Sequence, residues 1–136
     1  SFRQQLNKTS MKEVIKKLKF KDTGVVVNAP ADLGAEFKKN GFKTSFDKNE
    51  KSKNTLVFVN NNKEYLDFLN KNLKNIERDS ILWFAYPKGT SKIKTDINRD
   101  TLRITGAEYG ITAVSLISIN DTWSALRLRP IDKFGK

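Results

Sequence analysis

The hydrophobic positions of this chain change period several times, and each change marks an element. Met11, Val14, Ile15 and Leu18 fall at i, i+3, i+4 and i+7, and Ser10 with Glu13 makes a capping-box pattern, so the spacing predicts a helix from Ser10 to Leu18. Gly24-Val25-Val26-Val27-Asn28-Ala29-Pro30 is then a short β-branched run ending in a loop, as a buried parallel strand reads. A short helix carries Leu33 and Phe37 inward and closes at Gly41; Phe42–Asp47 alternates as a short strand. Asp47–Asn54 is a polar, lysine-rich surface loop.

Thr55–Val59 is a second buried strand. Asn61 caps the next helix with Glu64 three residues on, and its apolar stripe is Tyr65, Leu66, Leu69, Leu73 and Ile76. Ile81–Tyr86 is the most hydrophobic strand and is predicted at the centre of the sheet. After the loop Pro87–Lys92, Asp96 is the expected N-cap of a helix running toward Gly110. Val114–Ile119, a tight turn at Asn120-Asp121 and Trp123–Arg129 read as a closing β-hairpin. Strands alternating with helices predict an α/β, Rossmann-like fold with a mostly parallel sheet of about six strands and a C-terminal antiparallel hairpin. In chain order this resembles a degenerate class I methyltransferase scaffold. Val25–Asn28 stands as its first strand, Thr55–Val59 as its fourth, Ile81–Tyr86 as its fifth and the hairpin as its sixth and seventh, with the third missing. Residues 11–136 form a single domain, and residues 1–10 are either native or a tag or disordered extension.

Composition removes several chemistries. The chain of 136 residues has no cysteine and no histidine. Disulfides, thiolate metal sites, a Cys nucleophile and Ser-His-Asp catalysis are therefore excluded, and a metal site would need carboxylates alone. No apolar run approaches a bilayer span, and no signal segment opens the chain. The expected location is cytoplasmic. Of the 26 basic residues 20 are Lys, spread along a chain of net charge +11. Base-specifying and phosphate-clamping sites favour Arg, so the charge supports salt-sensitive attraction to polyanions more than dedicated nucleic-acid recognition.

The segments Leu82-Trp83-Phe84-Ala85-Tyr86-Pro87-Lys88, Thr95-Asp96 and Asn120-Asp121-Thr122-Trp123-Ser124-Ala125-Leu126-Arg127, with Ala29-Pro30 after the first strand, resemble a bacterial family known as domain of unknown function 3052. The likeness spans about residues 11–130. It implies a fold and a set of positions, not a reaction.

A Rossmann-like cofactor sits over a glycine-rich turn after the first strand. Here that turn, from Asn28 to Gly34, has one glycine, and Pro30 removes an amide donor. No cofactor is expected: neither S-adenosylmethionine nor a dinucleotide. Ligands of open α/β sheets bind at the carboxyl edge, where Asn28, Asn60, Lys88, Thr90 and Ser91 follow strands, joined by Asp96, Asp121 and Trp123. Lys88 there could hold an anion; equally, these residues could only turn, cap and pack. Asp96 and Asp100 share a helix face, but Lys92, Lys94, Arg99 and Arg103 neutralise the region and argue against a metal. On the last strand a period of two puts Trp123, Arg127 and Arg129 on one face, either as interface anchors or as stems covering core. No catalytic residue and no metal ligand is assigned. The expected function is a non-enzymatic binding or interaction domain for an anionic small molecule or a protein. A transferase-like enzyme and a non-specific polyanion or nucleic-acid binder are the alternatives.

Overall fold

A computed structural model describes residues 11–133 of the chain. Helix α1 (Met11–Leu18) leads to strand β1 (Val25–Val27), helix α2 (Ala31–Lys39), strand β2 (Ser52–Phe58) and helix α3 (Asn62–Asn72). A 3-10 turn (Leu73–Asn75) feeds the long strand β3 (Ile76–Pro87). Helix α4 (Arg99–Glu108), strands β4 (Ile111–Ser118) and β5 (Trp123–Pro130) and a 3-10 turn (Ile131–Lys133) complete it.

The five strands form one mixed sheet in the order β1-β2-β3-β5-β4. β1, β2 and β3 are parallel; β5 runs antiparallel to β3, and β4 antiparallel to β5. Ile81–Tyr86 lies in the central strand, as its unbroken hydrophobicity predicts. Residues on its alternate sides enter two separate cores. On one face Leu82, Phe84 and Tyr86 pack with Tyr65, Phe68 and Leu69 of α3 and Leu102 of α4. On the other Ile81, Trp83 and Ala85 pack with Val14 and Leu18 of α1 and Phe37 of α2. A sheet covered on both faces needs apolar residues at every position, which is why its strands carry runs rather than alternation.

Buried polar atoms tie the helices down. The indole Nε1 of Trp83 donates to the Leu18 carbonyl at 2.9 Å, fixing the end of α1. The Tyr65 hydroxyl donates to the Leu102 carbonyl at 2.8 Å, joining α3 to α4. Helix α4 approaches the sheet at Gly106, where an added Cβ would meet Tyr65 Oη at 3.0 Å and Leu128 Cδ2 at 3.3 Å. The missing side chain at Gly106 leaves room for the Tyr65 hydroxyl and for Leu128 under the helix.

Several boundaries differ from the sequence expectation. The strand expected at Phe42–Asp47 reduces to one bridge between Lys43 and Val25. Phe42 is buried, but beyond it Asp47 bonds the Asn49 amide and turns the chain into its polar loop. The sheet therefore has five strands rather than about six. Helix α3 stops at Asn72, so Ile76 opens β3 instead of closing the helix stripe, and Phe68 is buried in it. The N-cap of α4 is Asn98, not Asp96: its Oδ1 accepts from Thr101 N while Thr101 Oγ1 accepts from Asn98 N. The expected helix over Ser10–Leu18 starts at Met11, its Ser10 cap lying outside the described residues, as do residues 1–10 altogether.

Candidate functional site

The carboxyl ends of β1, β2 and β3 share one edge, and the antiparallel pairing Pro87–Trp123 brings the β4–β5 turn to that same edge. Lys88 N donates to Thr122 O at 2.8 Å, so the loop after β3 is stitched to this turn. The Lys88 loop and the Asp121 turn are therefore neighbours. Within this edge the candidate residues divide into two groups.

The first group closes the crevice between β1 and β2. Asn28, at φ 61, ends β1 in the left-handed region that Asn tolerates better than most residues. Its Nδ2 donates to the Phe58 carbonyl and to Glu64 Oε1. The same Glu64 oxygen accepts from Asn60 N at 2.9 Å and Asn60 Nδ2 at 3.1 Å, while Asn61 Oδ1 caps Glu64 N. Glu64 completes the N-terminus of α3 and bridges two strand ends. In open α/β sheets this is where a ligand sits when the strand order reverses; here the chain's own side chains hydrogen-bond across it. Asp96 belongs to this neighbourhood as well. Its Oδ1 accepts from Asn62 N at 2.8 Å, supplying the first turn of α3 with a second acceptor rather than starting α4.

The second group lines an open cleft of about 480 Å³ between the sheet, the Lys88 loop and the start of α4. Its floor is Tyr86, Ser124 and Leu116; its walls are Lys88, Gly89 and Thr90 on one side and Asn98, Arg99 and Asp100 on the other. Lys88 is half-buried, and its Nζ donates to Ser118 Oγ at 2.7 Å. That bond holds the ammonium toward the hairpin. Ser91 shapes the loop, donating from both its amide and its hydroxyl to the Lys88 carbonyl. Burial raises the Tyr86 phenol above its usual value, opposed by the charge of Arg99 and a hydrogen bond with Ser124. Tyr86 thus stays a neutral hydrogen-bonding group at the base of a cleft that carries two cations and one carboxylate.

The remaining candidates are placed elsewhere. Trp123 is buried and meets Phe58 edge-to-face, with centroids 5.1 Å apart. Asp121 lies exposed in the turn, where Asn120 Oδ1 accepts from Thr122 N and Trp123 N. Arg129 makes a two-pronged ion pair with Asp79, at 2.9 and 3.2 Å, against a bulge of β3. Arg127 is half-buried; burial, then the charge of Arg129, lowers its pKa, and its Nε has no hydrogen-bond partner among the described residues. Trp123 and Ala125 lie in one core, Leu126 and Leu128 in the other, as the period of two requires.

Among the described residues no group of three or more Asp or Glu is placed to hold a metal ion. No helix among them is long and apolar enough to cross a membrane. Tyr86, Asn98, Arg99, Asp100, Leu116 and Ser118 were not separable in the sequence from ordinary strand, cap and helix positions. They converge only because β5 inserts between β3 and β4. No family model matches the chain, and no curated protein or solved structure matches it.

Proposed function

We propose that this chain is a non-enzymatic binding domain that takes a small anion in the cleft between the Lys88 loop and the start of α4. The observation that carries the reading is that Lys88 and Arg99, at the two ends of the connection between β3 and α4, line one open cleft at the carboxyl edge. The first amides of α4 face the same end of the helix, where the aligned peptide dipoles favour negative charge. Asn98 and Thr101 satisfy each other in the capping box, leaving Arg99 and Asp100 as the next amides. A phosphate or carboxylate would replace the Ser118 hydroxyl as the partner of Lys88 and gain charge-assisted bonds. Asp100 opposes this, so a singly charged group or one end of a larger ligand fits better than a dense polyanion.

A class I methyltransferase-like scaffold is supported by the strand order: the last strand runs antiparallel and inserts between its two predecessors. A cofactor-dependent transferase on that scaffold is less favoured. The crevice between β1 and β2 is crossed by the Asn28–Glu64–Asn60 hydrogen bonds, and Pro30 offers no amide.

Calorimetric titration with inorganic phosphate, pyrophosphate and a dicarboxylate tests the reading. Saturable binding that weakens with salt and is markedly weaker in Lys88→Ala supports it. Absence of heat and of any thermal shift with all three anions refutes it.

A further inference from the structure

The two edges of the sheet differ in kind. β1 has three residues, and its outer side is already bonded: Val26 N donates to Lys43 O at 2.8 Å and Lys43 N to Gly24 O at 2.9 Å. β4, at the other edge, runs eight residues, Ile-Thr-Ala-Val-Ser-Leu-Ile-Ser, with no charge and no proline. Charged residues make up 30% of the chain, so a bare strand at the edge stands out. Edges are ordinarily blunted by lysine, proline, shortness or a bulge. β4 has one bulge, between Ala113 and Ser115, and from Ser115 to Ser118 it is regular. Leu116 in that stretch is 47% exposed.

The ladder fixes which backbone groups face outward. Ile119 N donates to Trp123 O, which makes this a bonded pair. Bonded and non-bonded pairs alternate in an antiparallel ladder, so Ile117–Ala125 is bonded while Ser118–Ser124 and Leu116–Leu126 are not. The Lys88 N to Thr122 O bond agrees: it turns the even-numbered residues of β5 toward β3 and the odd-numbered ones toward β4. The amides and carbonyls of Leu116 and Ser118 therefore point off the sheet. Among the described residues no strand lies beyond β4.

We propose that β4 is a self-association edge, pairing antiparallel with β4 of a second copy about a two-fold axis through Leu116. That axis, perpendicular to the sheet, keeps each face on its own side. Leu116 N and O exchange bonds with Leu116 of the second copy, the two exposed side chains meet, and two five-stranded sheets become one continuous sheet. A second copy is the occupant because the charge distribution suits it. The strand itself carries no charged side chain, so two copies of it pair without like charges meeting on the strands. Lys88, held on Ser118, adds a repulsion between copies that salt screens. Lys43, Lys51 and Lys53 line a cleft at β1 and β2, with Lys38 and Lys39 at the end of the neighbouring α2. At ~4.8 Å per strand, the β1 edges of two paired copies lie about 43 Å apart. That is several Debye lengths at physiological salt, about 8 Å each. The like charge of +11 per copy weakens the pairing without preventing it, so salt strengthens association.

Sedimentation velocity on the full chain tests this across rising concentration at low and high salt, with Leu116→Lys and a control, Ile104→Lys, at a 56% exposed position on α4. The wild type and the control should move toward the dimer together, more so at high salt, while Leu116→Lys stays monomeric. Hydrogen exchange of the wild type should show the Leu116 and Ser118 amides gaining protection with concentration, which decides the matter even if the lysine variant misfolds. A wild-type chain that is monomeric up to millimolar concentration overturns the proposal and leaves the edge to a foreign strand or to none. A dimer unaffected by Leu116→Lys, or one without concentration-dependent protection at these two amides, also overturns it.

Discussion

Replacing Tyr65 by Phe removes one oxygen from the centre of the molecule and leaves the ring that packs edge-to-face on Phe84, with centroids 4.9 Å apart. Tyr65 is fully buried, and its hydroxyl donates to the Leu102 carbonyl at 2.8 Å. A net hydrogen bond of this kind contributes about 1 kcal/mol, within a range of roughly 0.5–1.5. For a domain of this size that corresponds to a fall of about 3–5 °C in Tm at neutral pH. A second effect has its own sign. Burial, with a smaller contribution from Tyr109, raises the Tyr65 phenol well above its ordinary value. The unfolded chain ionises this group near pH ~10 while the folded protein does not. The stabilisation is therefore complete below that pH and is lost as pH rises toward the folded value. Tyr65→Phe should be less stable than wild type at pH 7 yet lose less stability through the alkaline range. Tyr86, also raised by burial, keeps part of the slope in the variant. Thermal denaturation followed by far-UV circular dichroism from neutral to alkaline pH reads both effects. A variant as stable as wild type at pH 7, or one with an unchanged alkaline slope, would refute the assignment of Tyr65 as the bonded link between α3 and α4.

Gly106→Leu should destabilise by at least about 1–3 kcal/mol, the cost of overpacking, because its side chain must enter the space filled by Tyr65 Oη, Ile111 and Leu128. Gly106→Ala instead sets a small crowding against a helix-propensity gain of about 1 kcal/mol. A Gly106→Leu denaturant midpoint equal to wild type would contradict the close approach of α4. Asn61→Ala should cost about 0.5–2 kcal/mol through loss of the α3 cap on Glu64 N, read by chemical denaturation. Lys88→Ala should leave the thermal midpoint nearly unchanged, since its Nζ bonds an exposed Ser118, while reducing the shift produced by phosphate.

Local signals in the sequence carried far. The runs Thr55–Val59 and Ile81–Tyr86 are apolar because both sheet faces are covered, and the two cores found there follow directly. Asn61 and Glu64 read as a cap pair, and Asn61 does cap. What the spacing could not give was the destination of the Glu64 side chain, which reaches Asn60 and Asn28 across two strand ends. Asp96, expected as the α4 cap, accepts instead from Asn62 N, 34 residues away, and Asn98 caps the helix. The short strand expected at Phe42–Asp47 had the right alternation but too few partners, and only Lys43 pairs. Lys88 and Thr90 could be placed at the carboxyl edge from the sequence because residues after parallel strands gather there, and both line the cleft; Ser91, expected beside them, braces the loop instead. Arg99, Asp100 and Leu116 could not be placed from the sequence, because helix and hairpin reach the cleft through pairings between β3, β5 and β4 that no local pattern encodes. Trp123 shows the converse: aromatic chemistry beside a polar turn suggested a ligand, while its ring packs on Phe58.

In the proposed function Lys88 and Arg99 act together on one anion. Titrating phosphate into wild type, Lys88→Ala, Arg99→Ala and the double variant by calorimetry measures this directly, since cooperating groups give non-additive losses. Saturable wild-type binding, weakened in each single variant and no weaker in the double variant than in the worse single one, is the predicted result. Losses that simply add in the double variant, binding unaffected by either substitution, or no binding by the wild type would contradict it.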